Sequence, residues 1–198
     1  MRLFPPMAGL TVLAVLAAEA KAEPITFSAD TFEIIGGMNT EQPRMRRSTY
    51  KGKEFVDFTT SLAPGSIIIR TAERKLYYVL PGGRAIAYGI GVGREGFTWS
   101  GTDKITRKAE WPDWRPPKEM IEREADRGNY IPAHMVGGPE NPLGARALYI
   151  GETMYRIHGT NQPWSIGLAV SSGCVRLLNE EVIDLFNRVV VGAEVVVE

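Results

Sequence analysis

Three side chains in this 198-residue chain are natural nucleophiles or bases near neutral pH: Cys174, His134 and His158. Cys174 lies in Ser171-Ser172-Gly173-Cys174-Val175-Arg176-Leu177. The small residues ahead of it leave backbone N–H groups accessible and allow a substrate to approach closely. The apolar residues after it suit a strand that fixes the thiol in place. A thiol becomes a good nucleophile when a neighbouring imidazole takes its proton. His158, in Tyr155-Arg156-Ile157-His158-Gly159-Thr160, stands where a predicted strand gives way to a loop. Two strands joined through that loop would bring it against Cys174. A free cysteine is also commonly a buried apolar filler, and residue type alone leaves both readings open. His134 sits in a Pro/Gly-rich stretch and reads as a partly exposed loop residue. Two histidines and one cysteine fall short of the usual zinc ligand set, so no metal or other cofactor is expected.

The elements that must position these groups read as mainly β. Ser66 to Arg70, Lys75 to Leu80 and Arg84 to Ile90 are rich in Ile, Val and Tyr and bounded by Gly and Pro, the pattern of short antiparallel strands. Ala147 to Ile150 and Thr153 to Ile157 read as two more strands, and Val195 to Val197 as a closing one. Pro116-Pro117 can open a short helix over Lys118 to Arg127, ended by Gly128. Residues 129 to 145 form a long Gly/Pro loop, and a long ordered loop inside a compact domain is more often functional than idle. Asn179 can N-cap a second helix that has Glu180 and Glu181 at its positive end. With 21 Gly and 13 Pro, many turns are expected, yet the composition is that of a folded chain.

Lys and Arg together equal Asp and Glu together, 23 each. A net charge of zero argues against a nucleic-acid partner, since phosphate neutralisation needs a basic surface. Residues 1–22 have the layout of a secretory signal peptide: Arg2, the apolar run Met7 to Ala18, then small-x-small endings at Ala18 to Ala22. The run is shorter than the roughly 20 residues that span a bilayer, so no stable membrane insertion is expected after cleavage, the alternative being an uncleaved membrane anchor. Residues 23–63 read as an N-terminal extension or linker, punctuated by Gly36-Gly37, Pro43 and an Arg44/Arg46/Arg47 cluster. Residues 64–198 remain as the main domain, of ordinary domain size. An exported chain with one cysteine cannot build an internal disulfide, so that thiol is either buried or used.

His158-Gly159-Thr160 followed by Ser171 to Arg176 resembles the active-site signature of the L,D-transpeptidase catalytic domain family, also called YkuD or ErfK/YbiS/YcfS/YnhG. Further stretches look familial in the same order: Gly91 to Gly96, Trp111 to Pro117, Gly138 to Gly144, Arg146 to Tyr149 and Asn161 to Gly167. The resemblance covers about Pro64 to Val197. Two positions depart from it. Ser172 stands where the family most often has His, which leaves His158 as the one matching base. Thr98 to Gly101 lacks a usual proline.

The resemblance implies a β-sandwich of mixed sheets with short helices and long Gly/Pro loops. It implies a periplasmic cysteine acyltransferase acting on peptidoglycan stem peptides. Cys174 would attack the carbonyl between the diamino acid and the terminal D-Ala, and His158 would accept and return the proton. The Gly159 carbonyl would orient the imidazole. Backbone N–H groups at Ser172, Gly173 and Cys174 would hold the oxyanion. Arg176 would pair with a substrate carboxylate or serve as a shaping salt bridge. Trp164, Asn161 and Tyr149 would wall the pocket, with simple packing an equal alternative for Trp164. The acceptor amine would come from a second stem, a free D-amino acid or an envelope protein, and a carbapenem would acylate Cys174. Alternatives on the same fold are a hydrolase that passes the acyl group to water and a catalytically silent cell-wall binding module. A papain-like peptidase is disfavoured because its Cys precedes its His in sequence, the reverse of the order here.

Overall fold

The computed structural model describes residues 26–27, 34–35, 50–94, 99–171 and 173–198. The expected signal segment, most of the expected extension and Ser172 lie outside the described residues. Ahead of residue 50, β1 (Thr26–Phe27) pairs with β2 (Ile34–Ile35).

The main sheet has nine strands. In chain order they are β3 (Glu54–Asp57), β4 (Ile67–Arg70), β5 (Lys75–Leu80), β6 (Arg84–Gly89), β8 (Gly101–Glu110), β9 (Arg146–Ile150), β10 (Arg156–His158), β12 (Val175–Arg176) and β13 (Glu194–Val197). Across the sheet they run β12-β10-β9-β8-β13-β4-β5-β6-β3. Most pairs are antiparallel, while β13–β4 and β10–β12 are parallel. A small parallel pair, β7 (Val92–Gly93) with β11 (Ala169–Ser171), stands beside it. The mainly β, mixed architecture agrees with the reading from sequence.

Period-2 alternation explains the core. Ile67 and Ile69 of β4, Leu76 of β5 and Ile86 and Tyr88 of β6 face one way, into a cluster with Ile105, Leu148, Ile157, Val175 and Val195. Their neighbours Ile68, Tyr77, Val79, Ala85 and Ala87 face the other way, onto Phe58 and Leu62. These hairpin strands are therefore buried on both faces, which is why they read as near-continuous apolar runs. The main cluster draws on strands from both ends of the sheet, so the sheet is folded over on itself. An isolated bridge between Gly91, just after β6, and Arg176 of β12 closes it, with both Gly91–Arg176 backbone bonds at 2.9 Å. α2 (Asn179–Arg188) lays Val182 and Leu185, three residues apart on one helix face, onto this core. Truncating Leu185 to alanine would cost about 2–5 kcal/mol.

Three local expectations differ from the structure. β3 begins the sheet ahead of Pro64, inside the stretch read as a linker, and pairs with β6 from Glu54↔Ala87 to Asp57↔Arg84. β8, ten residues long, was not expected at all, because among its residues only Ile105 is buried. The Asn179 side chain does not cap α2: Leu178 is the capping residue and makes no side-chain cap bond.

The long loop is an ordered cap. α1 (Lys118–Ala125) starts after Pro117 as expected and contributes no buried residue. Around it, Trp114, Ile131 and Leu143 form a small core with Met120 and Met135. Trp114 and Met135 exchange both backbone hydrogen bonds, and the buried Asn141 carboxamide donates to the Pro112, Met135 and Val136 carbonyls. Segments far apart in sequence are thereby held as one lobe above β10 and β12.

Candidate active site

The parallel pairing of β10 with β12 sets Ile157 opposite Val175 and His158 opposite Arg176. Ile157 and Val175 point into the core, so alternation turns Arg156, His158, Cys174 and Arg176 to the other face. All four line one cavity of about 340 Å³ beneath the cap. Carried one residue back from β12, this register sets Cys174 opposite Arg156, two residues from His158, about 6–7 Å of chain.

His158 is buried and its Nδ1 meets the Gly159 carbonyl at 2.5 Å. With Nδ1 donating, Nε2 is left as the acceptor, the tautomer a general base requires. Burial is the main cause that lowers the imidazole to about 3, and the Arg176 and Arg156 charges push the same way, against the Gly159 and Leu143 backbone groups. The Cys174 thiol is pushed up by burial, with Arg156 and Arg176 opposing that shift. At neutral pH the resting pair is thus neutral imidazole and neutral thiol, without an ion pair. The thiol faces the Met154 carbonyl at 3.8 Å.

The turn before Cys174 is built by Ser171 and Gly173. Ser171 Oγ donates to the Cys174 carbonyl at 2.7 Å and accepts from the Gly173 N–H at 3.2 Å. Gly173 takes φ 112°, a conformation that L side chains avoid. The Gly173 N–H, expected as an oxyanion donor, is therefore already engaged. The Ser172 part of that expectation lies outside the described residues.

Positive charge dominates the cavity wall. Among the described residues, Arg94, Arg115, Arg123, Arg156 and Arg176 line it against one carboxylate, Glu124. Glu124 is itself engaged by Arg127 at 3.0 Å and Asn129 at 3.0 Å. Arg176 Nη1 donates to Gln162 Oε1 at 3.2 Å, and burial lowers its guanidinium from the ordinary value. The Nε atoms of Arg156 and Arg176 are buried with no hydrogen-bond partner.

Of the residues expected from sequence, the structure brings Cys174, His158, Gly159, Arg176 and Trp164 together at or around this cavity. Asn161 and Tyr149 do not line it. Asn161 donates to the Glu140 carbonyl at 2.9 Å, and Tyr149 lies under Arg107 at 3.5 Å and Arg156 at 5.3 Å. Tyr149, opposite Arg156 in the β9–β10 register, shares its sheet face but stacks beneath the arginines without reaching the lining. His134 is paired with Asp113 at 3.0 Å on the cap, outside the lining. Sequence reasoning missed Arg156, Gln162 and the structural role of Ser171. Arg156 was findable, since it stands two residues before His158 and so shares its strand face.

The mainly β domain thus brings Cys174, just ahead of β12, and His158, oriented by the Gly159 carbonyl at the end of β10, into one cavity. The family model of the L,D-transpeptidase catalytic domain matches residues 64–197, and the chain belongs to that family. It is 36% identical over 188 residues to an Escherichia coli protein named "Probable L,D-transpeptidase YbiS", covering 89% of this chain and 60% of that one. It is 41% identical over 134 residues to "Probable L,D-transpeptidase ErfK/SrfK" of the same species, covering 65% of this chain and 42% of the relative. The chain thus spans about 60% or less of the length of these relatives. Its fold resembles an L,D-transpeptidase from Mycobacterium smegmatis, with TM-score 0.54 and 19% identity over 69% of this chain and 59% of that one. It also resembles an L,D-transpeptidase from Enterococcus faecium, with TM-score 0.52 and 18% identity over 69% and 50%.

Proposed function

We propose that this chain is a peptidoglycan L,D-transpeptidase. The observation that carries the reading is the buried His158, clamped through Nδ1 by the Gly159 carbonyl, in one cavity with Cys174. Rotation about the Cys174 Cα–Cβ bond would turn Sγ from the Met154 carbonyl toward Nε2. Sγ then attacks the carbonyl joining the diamino acid to the terminal D-Ala. Its proton passes to Nε2 as the C–S bond forms. His158 returns that proton to the departing D-Ala amine as the C–N bond breaks, leaving a thioester on Cys174. An acceptor amine attacks the thioester, gives its proton to Nε2, and the thiol is restored. Because the resting pair is neutral, proton transfer accompanies attack. With the Gly173 N–H engaged by Ser171 Oγ, the Cys174 N–H would serve as an oxyanion donor.

The arginine-lined wall supports a substrate rich in carboxylates, with Arg156 and Arg176 placed to meet one beside the reacting carbonyl. The acceptor is a second stem, a free D-amino acid or an envelope-protein amine. The reading also takes residues 64–198 as the catalytic domain and residues 1–22 as an export signal to the periplasm. No helix among the described residues is long and apolar enough to cross a membrane.

The test mixes the chain, or its Cys174→Ala variant, with disaccharide-tetrapeptide muropeptides and a free D-amino acid, and weighs the products. Crosslinked dimers or exchanged terminal residues that require Cys174 are expected. Tripeptide alone would move the chain to hydrolysis, and Cys174-independent product would overturn the assignment.

A further inference from the structure

The imidazole clamp has a support that the catalytic reading leaves unused. The Gly159 carbonyl that accepts from His158 Nδ1 belongs to the same peptide unit as the Thr160 N–H. That N–H donates to Asn179 Oδ1 at 3.2 Å. The peptide is trans, so its two polar groups point in opposite directions, one to His158 and one to Asn179. The same Oδ1 accepts from the Ala145 N–H at 2.9 Å. Ala145 follows Leu143 and Gly144, and the Leu143 backbone is the other group facing the His158 ring. One carboxamide oxygen thus holds both backbone segments that flank the imidazole.

Two glycines make room for it. A Cβ at Gly144 or at Gly159 would collide with Asn179 Oδ1. The Gly159 N–H is also fixed, donating to the Arg146 carbonyl at 3.0 Å. Glycine would otherwise let the Gly159–Thr160 peptide rotate at little cost. Asn179 is moreover diverted from its local use: it opens α2 without capping it. Its side chain is spent on the loops.

We infer that Asn179 is a positioning residue for the general base, acting through the Gly159–Thr160 peptide to hold His158 in the Nδ1–H tautomer. This rests on the proposed function for its catalytic meaning and on geometry alone for the tautomer. Hydrogen bonds in series also polarise one another, so the chain from Asn179 to Nδ1 strengthens the clamp.

The experiment compares Asn179→Ala and Asn179→Asp with the parent chain. Imidazole 15N shifts report the tautomer, and the second histidine, His134, serves as internal reference. A carbapenem followed by mass spectrometry reports the acylation rate of Cys174. In Asn179→Ala, a mixture of tautomers is expected, with the limiting acylation rate down about 10²-fold, the scale of a small misplacement of a reacting group. The half-saturating carbapenem concentration should stay near the parent value. Asn179→Asp keeps the accepting oxygen and should recover the tautomer and most of the rate. It also carries the test if the alanine variant does not fold. A folded Asn179→Ala with the parent tautomer and rate, changed only in melting temperature, would overturn the inference. So would an Asn179→Asp that loses the Nδ1–H tautomer. A parent chain that no carbapenem acylates would count against the proposed function instead, and the 15N comparison would still decide the role of Asn179.

Discussion

Two regions of this molecule hold charge against its core, and they do so in opposite ways. Where α2 meets β6, Asp184 receives Tyr88 Oη at 2.6 Å, Lys53 Nζ at 2.8 Å and Arg188 Nη2 at 2.9 Å. Burial works to raise that carboxyl, but the bonds from Arg188, Lys53 and Tyr88 overcome it and hold it well below the usual range. In the cavity, guanidinium groups gather with one carboxylate among the described residues, and the Nε atoms of Arg156 and Arg176 are left without partners. The first region has satisfied its charges internally, which ties helix to sheet. The second leaves two buried guanidinium nitrogens, the Nε atoms of Arg156 and Arg176, unpaired, an arrangement that costs stability. The contrast separates charges whose bonds are completed within the fold from buried guanidinium groups whose bonds are not.

The contrast can be broken at His158 first. His158→Gln should cut Cys174 acylation by about 10³-fold, as loss of a positioned general base does, in a chain that still folds. Retention of the parent rate would remove the base assignment. The same residue predicts a pH effect. Its folded value lies at about 3, below the 6.5 of an exposed imidazole. The unfolded chain therefore binds a proton that the folded chain refuses between those values, so stability falls as pH drops from 6.5 toward 3. Melting curves across this window should show a shallower slope for His158→Gln. An unchanged slope would mean that His158 is not held neutral by the fold.

Arg156→Gln sharpens the cavity side. It should raise KM for a tetrapeptide donor by about 10-fold or more, the worth of a charge-assisted hydrogen bond. Its melting temperature should hold or rise, because a cation with an orphaned Nε is removed. A fall in melting temperature with KM unchanged would place Arg156 among the structural charges. Asp184→Asn is the converse. It should lose about 1–3 kcal/mol by chemical denaturation and leave acylation unchanged. Because the Asp184 carboxyl is depressed, its contribution is present above the ordinary carboxylate range and is lost as pH falls below it. Last and smallest, Lys118→Ala should change neither readout, since the Lys118–Glu122 pair on α1 is largely exposed.

Much of this architecture was legible in the residues. The hairpin strands β4 to β6 announced themselves because both faces are buried and their turns carry Gly and Pro. β8 did not, although it lies near the middle of the sheet. Its sequence, Gly-Thr-Asp-Lys-Ile-Thr-Arg-Lys-Ala-Glu, is polar because most of its side chains face solvent, and its pairing comes from β9 and β13, both distant in the chain. β3 escaped for the same reason: it is an exposed edge strand.

The Cys174–His158 pair was visible as residue types at a spacing, and the Gly159 carbonyl was expected beside His158. What the sequence by itself determined is the chemistry on offer: one thiol, one histidine at a strand end, and small residues that permit close approach. What only the tertiary structure decided is how that chemistry is held. Parallel register between β10 and β12 chose which face the pair shares. Folding of the cap buried the imidazole and set its charge state. Asn179 was withdrawn from its helix terminus to bind two loops. Each of these depends on groups brought together from distant parts of the chain, and local residue patterns encode only what a residue offers its near neighbours.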